Sequence, residues 1–275
     1  IFIRSFADAD NDGNGDIKGV TAKLDYIQQL GITGIVLMPV NPSPYFDNSA
    51  ASDFYSIDKS YGTSADFKNF MTEAHKRNIK VIVEFSFNKC SNIHPWFLNA
   101  RMGKNSKYRD FFLWADTMTI NYEAEKWYWP ADDKGKAISG QRYYARYGSE
   151  MPALNYNNQL LRKEILKIAA FWVKEMGVDG LCVQDPQYIY SEQEKNNEWW
   201  KQFSDFVTGV KKDVIIAGDI NAYTEVLRGY LKNGIISCYN YSVGEAIVRA
   251  LANESSVGFL DSILPSFKIF ENAVG

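Results

Sequence analysis

Five oxygen-bearing side chains alternate along one short segment, and their spacing suggests metal binding. Within residues 7–16 they are Asp8, Asp10, Asp12, Asn14 and Asp16. Hard cations such as Ca²⁺ bind several oxygen ligands supplied by a tightly turned loop. An EF-hand fits poorly, because its twelfth position, which should be Glu, falls on Gly19. We therefore expect a structural Ca²⁺ site of another kind, and the alternative is a polar turn without metal.

Two acidic residues, Glu84 and Asp219, occur at the ends of separate β-branched runs. A pair of carboxylates at one edge of a parallel sheet could act as a general acid and a general base. The alternative is two solvated polar residues. A third run ends at Gln184, whose neutral amide cannot act as a carboxylate nucleophile or as a general acid. Since strand neighbours point to opposite faces, we expect Asp185 to face the helices if Gln184 faces the strand ends.

Strands and helices that could position these residues alternate along the chain. Short β-branched runs separated by longer amphipathic stretches are typical of βα units and a parallel sheet. We predict strands at residues 1–6, 34–38, 80–85, 180–183, 214–217, 235–239 and 267–270. We predict helices at residues 17–30, 64–77, 160–176, 199–211, 224–232 and 245–251. A (β/α)8 TIM barrel needs an eighth strand to close, so we expect an α/β barrel truncated after strand seven.

The interval from about residue 90 to 158 is too long for a barrel loop, and it is rich in aromatic and turn residues. We predict a subdomain inserted after strand three. The expected organisation is therefore residues 1–88 for barrel strands 1–3, 89–158 for the inserted subdomain and 159–275 for strands 4–7. Within the insert, Trp127 and Trp129 could stack on a sugar or be buried against the barrel.

Composition excludes some classes of partner. The 275 residues have a net charge of −3 and a pI near 5.6, which leaves no electrostatic footprint for nucleic acid or an anionic membrane. No apolar stretch reaches the ~20 residues that a membrane-spanning helix needs. Cys90, Cys182 and Cys238 lack metal-ligand spacing, so we expect buried free thiols. We therefore expect no nucleic-acid partner and no membrane span.

The order of several short motifs resembles the α-amylase family of glycoside hydrolases over nearly the whole chain. Residues 31–44 look like the family's second strand and loop, and residues 177–185 look like the strand that carries the nucleophile. The chain resembles oligo-1,6-glucosidase-like members in particular, and residues 7–16 resemble their calcium loop, in which Asn14 would contribute its backbone carbonyl. The resemblance implies a retaining glycosidase built on a (β/α)8 barrel with a domain inserted after strand three.

The family's catalytic positions hold other residues here. By this resemblance, Gln184 stands at the nucleophile, Cys182 at its orienting Arg, and Asp219 at the acid/base Glu. Val274 stands at the third family acid, in residues 270–274. The shorter Asp219 would retract a proton donor by ~1 Å, and a misplacement of that size can cost about 100-fold in rate.

Other positions of the sugar site are also changed. In residues 81–89 only Asn88 matches the family, since Glu84 replaces an Asp and Lys89 replaces a His. Tyr188 takes the place of a substrate-binding His. The resemblance therefore leaves Asn88 and Tyr188 as candidate substrate-binding residues, and Glu84 and Asp219 as the residual acids.

Three functions remain open from the sequence. The first, which we favour, is a barrel that has lost glycosidase catalysis and either binds α-glucan oligosaccharides or holds a protein partner as a scaffold. The second is an active α-glucan hydrolase or transglycosidase that uses Asp219 and Glu84. The third is a hydrolase-like protein whose ligand is not a sugar. The fold by itself does not decide between them.

Overall fold

The computed structural model describes residues 1–120, 123–132, 134–138, 140–222, 224–259, 261 and 263–264. Five parallel strands form the main sheet, in the order β1–β2–β6–β7–β8. Three short antiparallel strands form a second sheet in the order β3–β5–β4. The strands are β1 Gly34–Leu37, β2 Lys80–Phe85, β3 Trp114–Ala115, β4 Trp127–Tyr128, β5 Arg142–Tyr144, β6 Gly180–Gln184, β7 Ile215–Asp219 and β8 Ser237–Cys238.

Helices separate the strands of the main sheet, which confirms the α/β prediction. The start of the longest early helix is well specified: the Thr63 hydroxyl accepts from the Asp66 N–H and the Asp66 carboxylate accepts from the Thr63 N–H, a capping box. The helix predicted at residues 17–30 is divided in two at Lys23. The helices are α1 Ile17–Ala22, α2 Leu24–Gln29, α3 Ser64–Lys76, α4 Pro95–Ala100, α5 Gln159–Lys174, α6 Gln193–Val210, α7 Thr224–Lys232 and α8 Tyr241–Ala252.

The core lies between one face of the main sheet and the helices that follow its strands. Phe85 at the end of β2 packs edge-on against Trp172 of α5, with ring centroids 5.3 Å apart. Trp172 in turn contacts Phe67 of α3 at 5.7 Å, and all three side chains are buried. Burial of such aromatic side chains supplies a large share of folding free energy. This packing also orients β2: Val81, Val83 and Phe85 point towards the helices, so the residues between them face the opposite side of the sheet.

The register of the parallel strands brings the candidate residues to one face. Glu84 of β2 pairs with Cys182 of β6, and Gln184 pairs with Asp219 of β7. Residues two apart on a strand share a face, so Cys182 and Gln184 point the same way. Glu84, Gln184 and Asp219 therefore lie side by side at the carboxyl ends of three neighbouring strands.

The second sheet lies in the chain segment between β2 and α5. Within this segment, one isolated bridge pairs Lys89 near its start with Ala153 near its end, and another pairs Phe112 with Leu154. A separate small sheet at this point agrees with an insertion after the third predicted strand. The boundaries at residues 88 and 158 stay a prediction.

The strand predicted at residues 1–6 is wrong except at its first residue. The Ile1 nitrogen donates to Val36 O at 2.6 Å and Met38 N donates to Ile1 O at 3.0 Å, but residues Ile3–Ser5 form a 3₁₀ turn. The reason is tertiary: Gly15 N donates to Arg4 O at 2.6 Å, so the loop of residues 7–16 folds back on this turn. A Cβ atom at Gly15 would lie 2.0 Å from Ile3 O, so only glycine permits the approach.

The strand predicted at 267–270 and the candidate position Val274 lie outside the described residues. In the part of the chain that the structure describes, no helix combines the length and apolar character needed to cross a membrane.

Candidate functional site

Gln184, at the family's nucleophile position, has both ends of its amide engaged. Its Oε1 accepts from the Ser86 hydroxyl and its Nε2 donates to Glu84 Oε1. The side chain is partly buried at the end of β6. An amide has no nucleophilic carboxylate oxygen, and the chemistry this geometry supports is orientation of the neighbouring Glu84.

Burial shifts the pKa values of both Glu84 and Asp219 upwards. Glu84 is only 7% exposed, and burial raises its pKa above the ordinary value, with a further contribution from the charge of Asp219 and opposition from the Gln184 hydrogen bond. Burial also raises the pKa of Asp219, which accepts from the Tyr241 hydroxyl and lies near the charge of Asp185. A carboxyl group with a raised pKa can serve as a proton donor closer to neutral pH. Glu84 is thus a buried group and not a solvated one.

Cys182 provides no positive charge at the position where the family has its orienting Arg. The thiol is fully buried on the same face as Gln184, and burial, with the nearby charges of Glu84 and Asp219, raises its pKa to about 12. It is therefore an uncharged group at neutral pH. Cys90 is also a buried free thiol and Cys238 a partly buried one, as expected from the sequence.

The prediction that Asp185 faces the helices is wrong. The strand ends at Gln184 and Asp185 adopts a left-handed conformation with φ of 46°, so the alternation of an extended strand no longer applies. Asp185 Oδ2 accepts from the Tyr147 hydroxyl at 2.7 Å and Oδ1 accepts from Gln187 Nε2 at 3.1 Å. Its carboxylate thus turns towards the inserted segment.

Lys89 is a buried cation beside these acids. It is 4% exposed, and its Nζ lies 4.2 Å from the centre of the Tyr147 ring. Burial lowers the pKa of Lys89 to about 8, against the opposing charges of Asp185, Asp47 and Glu84. Desolvation disfavours the charged form of lysine. The Tyr147 ring face and the neighbouring acids favour that charged form.

The two candidate substrate-binding residues occupy different environments. Asn88 is buried; its Nδ2 donates to Asp185 O at 3.2 Å, while its Oδ1 has no hydrogen-bond partner among the described residues. Tyr188 is 41% exposed, with the Arg146 guanidinium 3.7 Å from its ring centre. Tyr147 connects them, since its hydroxyl is 3.4 Å from Asn88 Nδ2 and its ring centroid is 6.5 Å from that of Tyr188.

Sequence reasoning missed three residues of this site. Ser86 could have been found, because it lies two residues beyond Glu84 and the strand alternation places both on one face. Tyr147 and Tyr241 gave no signal, since they come from the inserted segment and from α8 and reach the strand ends only through the tertiary fold.

The acidic loop of residues 7–16 has a donor set that fits a hard cation. One carboxylate oxygen from each of Asp8, Asp10 and Asp16 lies within 4.8 Å of the others. Asp12 and Asn14 are held differently, with Asp12 Oδ1 accepting from the Asn14 N–H at 2.7 Å and Asn14 Oδ1 accepting from Arg4. Three carboxylates with further oxygens nearby are the ligand type that Ca²⁺ prefers.

The Asp16 carboxylate also connects this loop to the fold. Its Oδ1 accepts from the Gly19 N–H at 2.7 Å, which caps α1, and its Oδ2 accepts from the Ala9 N–H at 2.8 Å. Asp16 is 6% exposed. A cation held by the loop would therefore act on the start of α1 and not on the strand ends.

Comparison with known proteins gives a consistent family. The family "Alpha amylase, catalytic domain" matches residues 1–256. Alpha-amylase 3 of Dictyoglomus thermophilum is 38% identical over 261 residues, covering 95% of this chain and 50% of that protein. An oligo-1,6-glucosidase of Parageobacillus thermoglucosidasius is 37% identical over 188 residues, covering 66% of this chain and 32% of that protein.

A solved structure supports the same assignment. The α-amylase from H.orenii superposes with a TM-score of 0.86 and 34% identity, covering 100% of this chain and 57% of that one. The chain thus spans about half the length of such relatives. This match confirms the predicted barrel fold class. The chain belongs to the α-amylase family of glycoside hydrolases.

Proposed function

We propose that this chain is an α-amylase-family domain that has lost glycosidase catalysis and binds α-glucan oligosaccharides. The observation that carries the proposal is the state of Gln184: its amide is held between Ser86 and Glu84 at the position where the family has its nucleophile. A retaining glycosidase needs an ionised carboxylate at that point to form the glycosyl-enzyme intermediate.

The surroundings of Gln184 support the same conclusion. Cys182 is an uncharged buried thiol, so it cannot orient or stabilise an anionic nucleophile. In another enzyme, removal of the nucleophile alone lowered kcat by about 10⁶. Here the orienting cation is replaced as well, so the expected residual rate is very low.

The ligand class is inferred from relatives. An alpha-amylase and an oligo-1,6-glucosidase are among the proteins to which the chain is similar. A scaffold that holds a protein partner is the other non-catalytic role, and it predicts no oligosaccharide binding.

A second candidate function is an active α-glucan hydrolase or transglycosidase that uses Glu84 and Asp219. The observation in its favour is that both carboxyl groups have raised pKa values on the same face of the sheet. Two carboxyl groups about 5 Å apart suit retention, and about 6.5–9.5 Å suit inversion. In this reading one acid would donate a proton and the other would activate water.

Calorimetric titration of the full chain with maltoheptaose, with analysis of the same samples for new reducing ends after long incubation, distinguishes these roles. Binding without new reducing ends is the expected result. Cleavage that disappears in both Glu84→Gln and Asp219→Asn would contradict the proposal and establish the second candidate. Neither binding nor cleavage would favour the scaffold role.

We also propose that the loop of residues 7–16 binds Ca²⁺ with a structural role. Asp8, Asp10 and Asp16 would supply carboxylate oxygens, and the Asn14 backbone carbonyl is a further candidate. The supporting observation is the convergence of the three carboxylates, whose mutual repulsion a divalent cation would relieve. The proposed metal would stabilise the contact between the loop and α1 and take no part in chemistry at the strand ends.

A further inference from the structure

Lys89 carries an amine that the proposed function does not use. The residue follows β2 and is only 4% exposed. Among the described residues its Nζ has no hydrogen-bond or ion-pair partner, and yet it is not one of their fully buried polar atoms. The small exposed part of Lys89 therefore includes the amine itself. The exposed Lys201, by contrast, pairs with Asp205 at 2.9 Å.

Both ends of the Lys89 side chain are held in place. Its backbone forms an antiparallel bridge with Ala153. Its Nζ lies 4.2 Å from the centre of the Tyr147 ring, and the Tyr147 hydroxyl donates to Asp185 Oδ2 at 2.7 Å, which fixes that ring. Since the side chain is already ordered, a reaction at the amine costs little additional conformational entropy.

Burial increases the share of neutral amine, which is the form that reacts with carbonyl compounds. Desolvation lowers the pKa of Lys89 to about 8. At pH 7 about one Lys89 in ten is then unprotonated, against about one in 2,500 for a lysine of ordinary pKa. Nucleophilicity falls with pKa, as it does for thiolates, so the expected rate advantage is smaller than this ratio. Desolvated lysines of this kind form Schiff bases with carbonyl substrates.

The groups around Lys89 select the product of such a reaction. The charges of Asp185, Asp47 and Glu84 all favour a cation at this position, and so does the face of the Tyr147 ring. A protonated imine keeps the positive charge on the nitrogen. Acylation would remove that charge, and a carbamate formed with CO₂ would reverse it beside three carboxyl groups. The surroundings therefore favour imine formation over these alternatives.

We propose that Lys89 is a covalent site for a small neutral aldehyde, which it holds as a protonated imine. The neutral amine attacks the carbonyl carbon, so the C–N bond forms and the π electrons of the C=O bond move to oxygen. One proton from the amine nitrogen and one from solvent convert that oxygen to water. The water leaves as the nitrogen lone pair forms the C=N bond, and no oxidant or reductant is needed.

The burial and the charges define the class of aldehyde. An opening that leaves Lys89 only 4% exposed admits a molecule of few carbon atoms. The neighbouring carboxyl groups disfavour an anionic one. The site is independent of glycan binding and of hydrolysis, because neither is needed for the amine to react.

The test treats the folded full chain at pH 7 with glycolaldehyde and cyanoborohydride, which reduces the imine to a stable hydroxyethyl-lysine. Peptide mass spectrometry then measures the labelled fraction of each lysine after a short exposure. Label at Lys89 forms at least about tenfold faster than at Lys201, the exposed control. In the urea-unfolded chain the two rates agree within about twofold, because both lysines then have an ordinary pKa. Lys89→Arg keeps the cation and loses the label at this position, while Lys201 is labelled at the wild-type rate.

Glyoxylate, a small aldehyde that carries a carboxylate, tests the neutral class. Its labelling rate at Lys89 relative to Lys201 is at least about threefold lower than that of glycolaldehyde, because the acids repel it. Labelling of Lys89 no faster than that of Lys201 in the folded chain overturns the proposal. A preference for Lys89 that persists in urea also overturns it, since the preference would then arise from the local sequence and not from the fold. Equal relative rates for the two aldehydes overturn the assignment to a neutral ligand.

Discussion

Replacing Gln184 with glutamate tests whether the amide is part of a hydrogen-bond network or an inactivated nucleophile that can be restored. The substitution keeps the shape of the side chain and replaces the Nε2 donor with an oxygen. Glu84 Oε1, which is buried, then loses the donor that it has in the native chain. Leaving a buried acceptor unsatisfied costs about 1–3 kcal/mol, and more when the group is charged.

The cost depends on pH because the introduced carboxyl group and Glu84 cannot both ionise cheaply at contact distance. One member of the pair keeps its proton to a higher pH in the folded state than in the unfolded state. A raised folded-state pKa for an acid makes the unfolded state more favourable once pH exceeds the unfolded pKa of ~4.3. Below that pH the protonated carboxyl can donate to Glu84, and the deficit is small. At pH 8 we expect Gln184→Glu to be less stable than wild type by ~2 kcal/mol.

The assay is urea denaturation of wild type and Gln184→Glu at pH 4 and pH 8, with reducing-end analysis of maltoheptaose on the same preparations. Gln202→Glu, the same change on the exposed surface of α6, is the matched control and should shift stability by less than ~0.5 kcal/mol. We expect no gain of hydrolysis, since Cys182 still leaves the position without an orienting cation. Equal stability of Gln184→Glu and wild type at pH 8, or the appearance of hydrolysis, would refute this reasoning.

Three further predictions concern stability. Burial raises the pKa of Asp179, but hydrogen bonds from the Val81 N–H, His75 and Lys211 outweigh it and lower that pKa from 3.8 to about 2. Asp179→Asn should therefore cost ~2 kcal/mol above pH 4, and urea denaturation should show the difference shrinking as pH falls towards 2. A Ca²⁺ concentration 100 times its dissociation constant should stabilise the chain by ~2.7 kcal/mol. Thermal unfolding of the wild type should therefore occur at a higher temperature with Ca²⁺ than with a chelator. An equal rise of the unfolding temperature in Asp10→Ala would contradict Asp10 as a ligand. Gly15→Ala should destabilise the chain by ~1–3 kcal/mol through its clash with Ile3 O. Gly209→Ala in α6, where a Cβ meets nothing within 4 Å and φ is not positive, should cost less by the same measurement.

Most of the barrel elements could be predicted because their signals are local. β2 at Lys80–Phe85 and α7 at Thr224–Lys232 have the predicted bounds, since period-two and period-3.6 patterns are read directly from neighbouring residues. The failure at residues 1–6 has a nonlocal cause. β-Branched and aromatic residues favour a strand there, but the hydrogen bond from Gly15 N to Arg4 O holds the chain in a turn.

The features of the candidate site likewise divide into those evident from local sequence and those set by the tertiary structure. The neutral amide at Gln184, the thiol at Cys182 and the acids Glu84 and Asp219 were evident from sequence, and the strand alternation placed them on one face. The orientation of Asp185 was not, because a single left-handed residue after the strand redirects its carboxylate towards Tyr147.

The sequence by itself therefore determined the family, the barrel elements and the residue types at the strand ends, because each depends on order and spacing along the chain. Only the tertiary structure decided which groups are buried and which are in contact. Burial raises the pKa values of Glu84 and Asp219 and lowers that of Lys89. The contact between the Tyr147 hydroxyl and Asp185 Oδ2 also exists only after folding, since the two residues are 38 positions apart in sequence and meet where the inserted segment packs beside the end of β6. Desolvation and long-range packing have no signature in a linear pattern.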